Sequence, residues 1–313
     1  MSLVSGDSML LQSSGDMTLT AGGDAWISYT GDLRLTADSV RVEAPSSFIL
    51  TSDTVVGLSS ADRVILSSGG PLRLTTADTY VLSAAGTLTV SSDSSATIDT
   101  AGSLAMGSAQ QLQLTSGQDM TLASASNRND TVVGGSVATV GGDDTRWVGG
   151  SYDLDVKGSV ALRSLGATGI DSAGPIDVST RGGLSLSASG PVSVSTEGAL
   201  SLQSTQAVVL SSAATVGVVG SDDVTVYSEG GNANITAGRS LQVTVAEAAT
   251  TAIGGSSSTT VQGPVTLSTA DTMTQTSSLT WAVDSGFHIH LTAAASMQLT
   301  AATGVEVLSG NDP

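Results

Sequence analysis

Glycine stands at residues 134, 142, 150, 158, 166, 174, 182, 190 and 198, a strict interval of eight. The same frame runs back through Gly102, Gly86, Asp78, Gly70 and Asp62 to Asp38, and forward through Gln206, Ala214 and Asp222. Residues 38–229 thereby divide into 24 octads without an insertion or deletion. A chain that counts in eights for so long must build every unit alike, so the repeat restricts the fold before any local preference does. A nine-residue unit, GGNANITAG at 230–238, shifts the frame once, and octads resume from 239 to 310. Before residue 38 the units vary from seven to nine residues, beginning at Gly6-Asp7, Gly15-Asp16, Gly23-Asp24 and Gly31-Asp32. Three segments follow from this: irregular units over 1–37, a regular shaft over 38–229, and frame-shifted octads with a C-terminal tip region over 230–313.

Within the octad the third and fifth positions are usually apolar, as at Leu72 and Leu74, Leu184 and Leu186, Val192 and Val194, or Val224 and Val226. Residues two apart share one face of a strand, and the intervening Ser, Thr, Arg or Asp faces the other way. Each octad therefore reads as one short strand and one corner. Gly-Pro, Gly-Asp and Asp-Asp at the first two positions supply the corner, where glycine is expected to adopt φ > 0 and proline to pre-set a turn. Apolar residues never recur at i, i+3, i+4, i+7, and the β-branched residues and glycines are poor helix formers. The fold class expected is all-β.

Composition agrees with a thin core. Aromatic residues are 3% of the 313, yet 40% of the chain is hydrophobic, which separates it from disordered Gly- and Ser-rich sequences. The formal net charge of -18 repels phosphate backbones and anionic lipid, so no nucleic-acid partner is expected. Cysteine is absent, which removes disulfides and thiolate metal sites. The opening MSLVSGDSML has no positive region leading into an apolar run, so no Sec signal peptide is expected.

One strand with two inward aliphatic side chains must stack on neighbours, because burial of each contributes only about 1.5–3 kcal/mol. Two windings satisfy this. A single chain can coil with three octads per turn, or three chains can intertwine so that each face stacks strands from all three. The expectation is the intertwined trimer, a triple-stranded β-helix of about 38 octads. An unbroken frame leaves no corner loops, and no 24-residue modulation distinguishes three faces.

The Val-x-Gly octads at 132–158, VVGGSVATVGGDDTRWVGGSYDLDVKG, resemble the needle domain of the central spikes of contractile phage tails and the shaft of VgrG-type secretion spikes. SGDMTLTAGGD (14–24) and GGNANITAG (230–238) resemble other shaft segments of that family. The resemblance implies a homotrimeric membrane-piercing spike at a virion tail tip or injection-apparatus baseplate. It further implies a baseplate or hub protein at the N-terminal end, with 1–37 as an attachment collar, and the host cell envelope as target. The chain departs from the family in showing no OB-like, lysozyme or hub region, which leaves a separate spike subunit or the shaft of another virion fibre.

His288 and His290, the two histidines of the chain, alternate with Phe287, Ile289 and Leu291 in GFHIHLTA (286–293). If their face turns inward, three chains bring six imidazoles to one axis point, a set that suits an octahedral ion, iron or else zinc. The pair also resembles the iron-clamped tips of some phage spikes. Extending the octad frame gives the other orientation, with Ile289 and Leu291 inside and both histidines in solvent.

Remaining motifs point elsewhere than catalysis. The Gly-Asp repeats keep a period of eight, whereas calcium β-rolls keep nine. No Gly-Lys-Ser/Thr or Gly-x-Ser-x-Gly occurs. Asp143-Asp144 and Asp222-Asp223 could serve a polysaccharide-degrading β-helix, but adjacent strand residues face opposite sides and converging loops are lacking. Trp26, Trp147 and Trp281 read as shaft or corner packing. The expected function is mechanical and non-enzymatic; the alternatives are a trimeric attachment fibre or vertex spike, and a single-chain polysaccharide-degrading tailspike.

Overall fold

The computed structural model of the chain describes residues 2–5, 9–15 and 17–309. The unit start at Gly6-Asp7 and the residue Asp16 lie outside them. Every regular element described is a strand, 37 in all and most of them five residues long, close to the number of octads. The chain divides into two compact units, Met1–Lys157 and Gly158–Pro313.

In the first unit the strand Leu88–Ser92 runs parallel to Val56–Ser68 on one side and Leu112–Ser116 on the other, with Val64↔Leu88 and Leu88↔Leu112 in register. Partners lie 24 residues apart, so each octad pairs with the third octad before it and the third after it. The single chain thus closes its own ladders as a parallel β-solenoid with three octads to a turn. The second unit is wound in the same way, as Leu184↔Val208 and Ala233↔Ser257 show.

Irregular units are absorbed where the sequence places them. Near the N-terminus the offset is 23 at Ala25↔Phe48 and Leu33↔Val56, and it returns to 24 at Val40↔Val64 after a register shift between Ala37 and Ser39. That shift falls at the start of the regular frame, and it lies inside a strand of 12 residues, Leu33–Ala44. The nine-residue unit lengthens the offset to 25 at Val208↔Ala233, Thr215↔Ser240 and Val224↔Ala249. One inserted residue is felt by three successive pairs, because three octads must pass before a turn no longer contains it.

Most strands bury their third and fifth octad positions, as read from the sequence, and also their seventh, whereas the last three, Ile289–Ala293, Ser296–Ala301 and Gly304–Ser309, bury none of theirs. The seventh closes the strand against the corner, beside a carbonyl of the preceding turn that a side-chain hydroxyl can reach. Serine or threonine fits there. Ser92 Oγ donates to the Gly70 carbonyl at 2.7 Å, Ser108 to Gly86 at 2.7 Å, and Ser124 to Gly102 at 2.8 Å. In the second unit Ser204 and Ser212 do the same to Gly182 and Gly190 at 2.7 Å. A neutral bond of this kind contributes about 1 kcal/mol net, and its loss leaves a buried acceptor short of a partner.

The Val-x-Gly stretch lacks the side-chain donor at this corner and keeps the backbone one, which the N–H groups of Gln110 and Ser126 also supply to Gly86 and Gly102. Val132, Val140, Val148 and Val156 occupy the seventh position and are buried. The corner carbonyls of Gln118 and Ser126 then accept from the backbone N–H of Gly142 and Gly150 at 2.9 and 2.8 Å. Such an approach needs bare backbone: a Cβ on Gly134 would overlap the Gln110 carbonyl. The corner glycines do not take the φ > 0 expected from the sequence, since no described residue does. Their role is to let one turn's backbone lie against the next.

Candidate functional sites

Aliphatic side chains fill most inward slots, and the Val-x-Gly stretch is the exception. Its inward third and fifth positions carry Arg128 and Asp130, then Asp144 and Arg146, then Tyr152 and Leu154. All four charged side chains are 1–3% exposed. Arg128 Nε and Nη2 donate to one oxygen of Asp130, Oδ2, at 3.0 and 2.6 Å. Arg146 meets Asp144 at both carboxylate oxygens, with Nη2 donating to Oδ2 at 3.1 Å and Nε reaching Oδ1 at 3.4 Å. Tyr152 joins the two pairs: its strand lies beside Arg128–Val132, its ring centroid is 4.9 Å from Arg128 Cζ, and its hydroxyl is 3.5 Å from Arg146 Nη1.

Two positive and two negative charges thus sit in water-poor surroundings, where burial is tolerable only because each charge has a partner. Burial by itself would lower the Arg146 pKa, but the Asp144 charge and Tyr152 outweigh it and hold the guanidinium above its ordinary value. Satisfaction is incomplete at the other pair. Arg128 Nη1 and Asp130 Oδ1 are buried without a hydrogen-bond partner. The octad frame alone assigns all four charged residues to inward positions, but their pairing there leaves no mark in the periodicity.

The histidine strand has the second orientation. His288 and His290 are exposed, Ile289 and Leu291 are half-buried, and His290 Nε2 is 2.9 Å from Thr292 Oγ1. Among the described residues no group of three or more His, Cys, Asp or Glu stands close enough to hold a metal ion. One chain therefore brings at most two imidazoles to such a site, and they face solvent. An axial ion would require three copies and the opposite strand face turned inward.

The acidic pairs serve the corners and the interior. Asp143 is exposed while Asp144 is buried, so the pair faces opposite sides as its adjacency dictates. Carboxylate or amide oxygens at the second octad position accept from backbone N–H groups one turn on: Asp119 from Asp143 at 3.0 Å, Asn127 from Ser151 at 3.0 Å, and Asp223 from Ala248 at 3.1 Å. Hydrogen bonds from the Ser47 hydroxyl and backbone do the same for Asp24 and hold its carboxyl below the usual range. Of the tryptophans, Trp281 is buried in the core, whereas Trp26 and Trp147 are largely exposed on the outer faces.

No helix is long and apolar enough to cross a membrane among the described residues. No family model matches the chain, and neither the curated proteins nor the solved structures yield a match.

Proposed function

We propose that the chain is the shaft of a structural spike, an intertwined homotrimer that transmits axial force at the tip of a contractile tail or injection apparatus and breaches an envelope without turning over substrate. The observation that carries this reading is the uninterrupted octad frame from 38 to 229. Each octad contributes the same strand, three inward positions and a tight corner, with no inserted loop on which a catalytic or binding site could be built. In the trimer these parts are unchanged and the ladder neighbour differs. Octad n lies beside octad n+1 of the next chain instead of octad n+3 of its own. The resemblance of residues 132–158 to phage and VgrG-type spikes supports the same assignment, with the N-terminal units meeting a baseplate or hub protein.

The second reading is a single-chain solenoid acting as a virion fibre, and the completeness of the single chain's own ladders favours it. Native mass spectrometry separates the two. The spike reading expects a mass near three times 30.9 kDa. A monomer sinks it. An axial iron or zinc ion at His288 and His290 belongs to the trimer alone and further requires the histidine face of that strand to turn inward there: one metal per three chains, lost in His288→Ala, is the result that such a clamp predicts. A metal-free trimer would keep the shaft and remove the clamp.

A further inference from the structure

The outer face of the first unit holds a groove of about 420 Å³, within the range of ordinary ligand pockets. It is built by regular stacking and needs no inserted loop. The ladders set Thr51, Thr75, Asp99, Ala123 and Trp147 beside one another in a single outward column, four strand spacings or about 19 Å long. All of these except Ala123 line the groove, and Asp53 adds a second carboxylate from the adjoining corner. The same corner carries Ala77, Ala101 and Ala125 in the next three turns, which keeps that side of the groove low. Trp147 stands at one end, 44% exposed, and its neighbour Ala123 offers only a methyl group against it.

A ligand suited to this groove presents an apolar face to the indole and hydroxyl groups to the threonines and carboxylates. A linear glycan does both: the C–H face of a sugar ring packs on the indole, while its hydroxyls donate to carboxylates and exchange hydrogen bonds with threonine. A peptide is served less well. The groove lies on a sheet face whose backbone groups are spent in the ladders, so no strand can be added there, and beyond Trp147 it has no apolar pocket for a side-chain anchor. No Lys or Arg lines it, so its two carboxylates oppose sulfated and uronic sugars.

We propose that this groove binds a linear glycan, neutral or amine-bearing, with Trp147 as the platform and Asp99 and Asp53 as acceptors for its hydroxyl or ammonium groups. The site rests on the single-chain winding, in which these residues are ladder neighbours, and so it deepens the fibre reading and not the trimer reading.

The test uses the full-length chain on an array of linear oligosaccharides, neutral, amine-bearing, sulfated and uronic, followed by calorimetric titration of the tightest-bound neutral or amine-bearing one. Trp147→Ala is expected to weaken that binding at least tenfold, and Asp99→Ala about fivefold. Ala101→Arg, which fills the groove from its exposed corner and leaves Trp147 in place, is expected to abolish it. Trp26→Ala removes an exposed indole of the same sheet outside the groove and is expected to leave binding unchanged. These positions are all on the surface, and circular dichroism of every variant is expected to match wild type. In a monomeric chain, an array with no signal for neutral or amine-bearing glycans would overturn the site. So would binding that survives both Trp147→Ala and Ala101→Arg. Tighter binding of the sulfated or uronic set would overturn the ligand class, as would a Trp147-dependent response to peptides alone, which would assign the groove to a protein partner. A trimeric wild type would part the column's residues and remove the groove together with its winding, an outcome that native mass spectrometry reads independently of the array.

Discussion

Asp144→Leu is expected to cost about 3–5 kcal/mol of stability, read as a lower urea midpoint, because it strands the buried Arg146 guanidinium. The remaining contact of Arg146, a neutral hydroxyl at 3.5 Å, is too long to replace a carboxylate bound at two points. Arg146→Leu alone should cost a similar amount by leaving Asp144 unpaired. The double variant Asp144→Leu/Arg146→Leu is expected to be neutral or to gain about 1–4 kcal/mol, since two leucines match the third and fifth positions of most octads and neither of these two charges need be dehydrated. The contrast between single and double variants is the informative quantity. A loss under 1 kcal/mol in both single variants would mean that water reaches the layer and that it is not buried as described.

Gly134→Ala is the second large effect, at about 3 kcal/mol, because its methyl group must displace the Gln110 carbonyl, which belongs to backbone and cannot rotate away. Gly169→Ala is the control. No atom lies within 4 Å of a Cβ at Gly169, so a change within about 0.5 kcal/mol is expected there. Were both glycines governed by φ > 0, the two substitutions would cost alike. Equal losses would therefore refute close approach as the reason for glycine at this corner.

Much of the coil was legible in the sequence because its signal has a period of two within a period of eight. Leu72 and Leu74, or Val192 and Val194, announce their face directly, and the structure buries them. The seventh position was as regular but harder to see, since Ser68, Ser92, Ser108, Ser116 and Ser124 look like surface residues until their hydroxyls find a carbonyl one turn away. Periodicity says which residues point inward; it does not say which inward polar groups have partners. For the same reason it was silent on the buried layer at 128–146, although the frame places those charges inside. Glycine was read as a conformational requirement, whereas here it is a steric one set by a neighbour 24 residues away. The orientation of His288 and His290 depended on whether the frame continues through 287–294, and in the single chain it does.

Octads cannot by themselves report which chain supplies the neighbouring strand, because octad n+1 and octad n+3 present the same pattern. Cysteine pairs report it directly, in a protein that has no cysteine of its own. Adjacent parallel strands bring Cα atoms within the range that a disulfide or a short bifunctional reagent spans. In Thr89→Cys/Thr97→Cys the two positions fall in successive octads on the outer face. The intertwined spike predicts that this variant is linked between chains and runs as a covalent trimer on denaturing gels. Thr89→Cys/Gln113→Cys places the pair on the single-chain register, Thr89↔Gln113. Efficient linkage of that second pair within one chain, with none between chains for the first, would contradict the trimer and leave a self-contained solenoid.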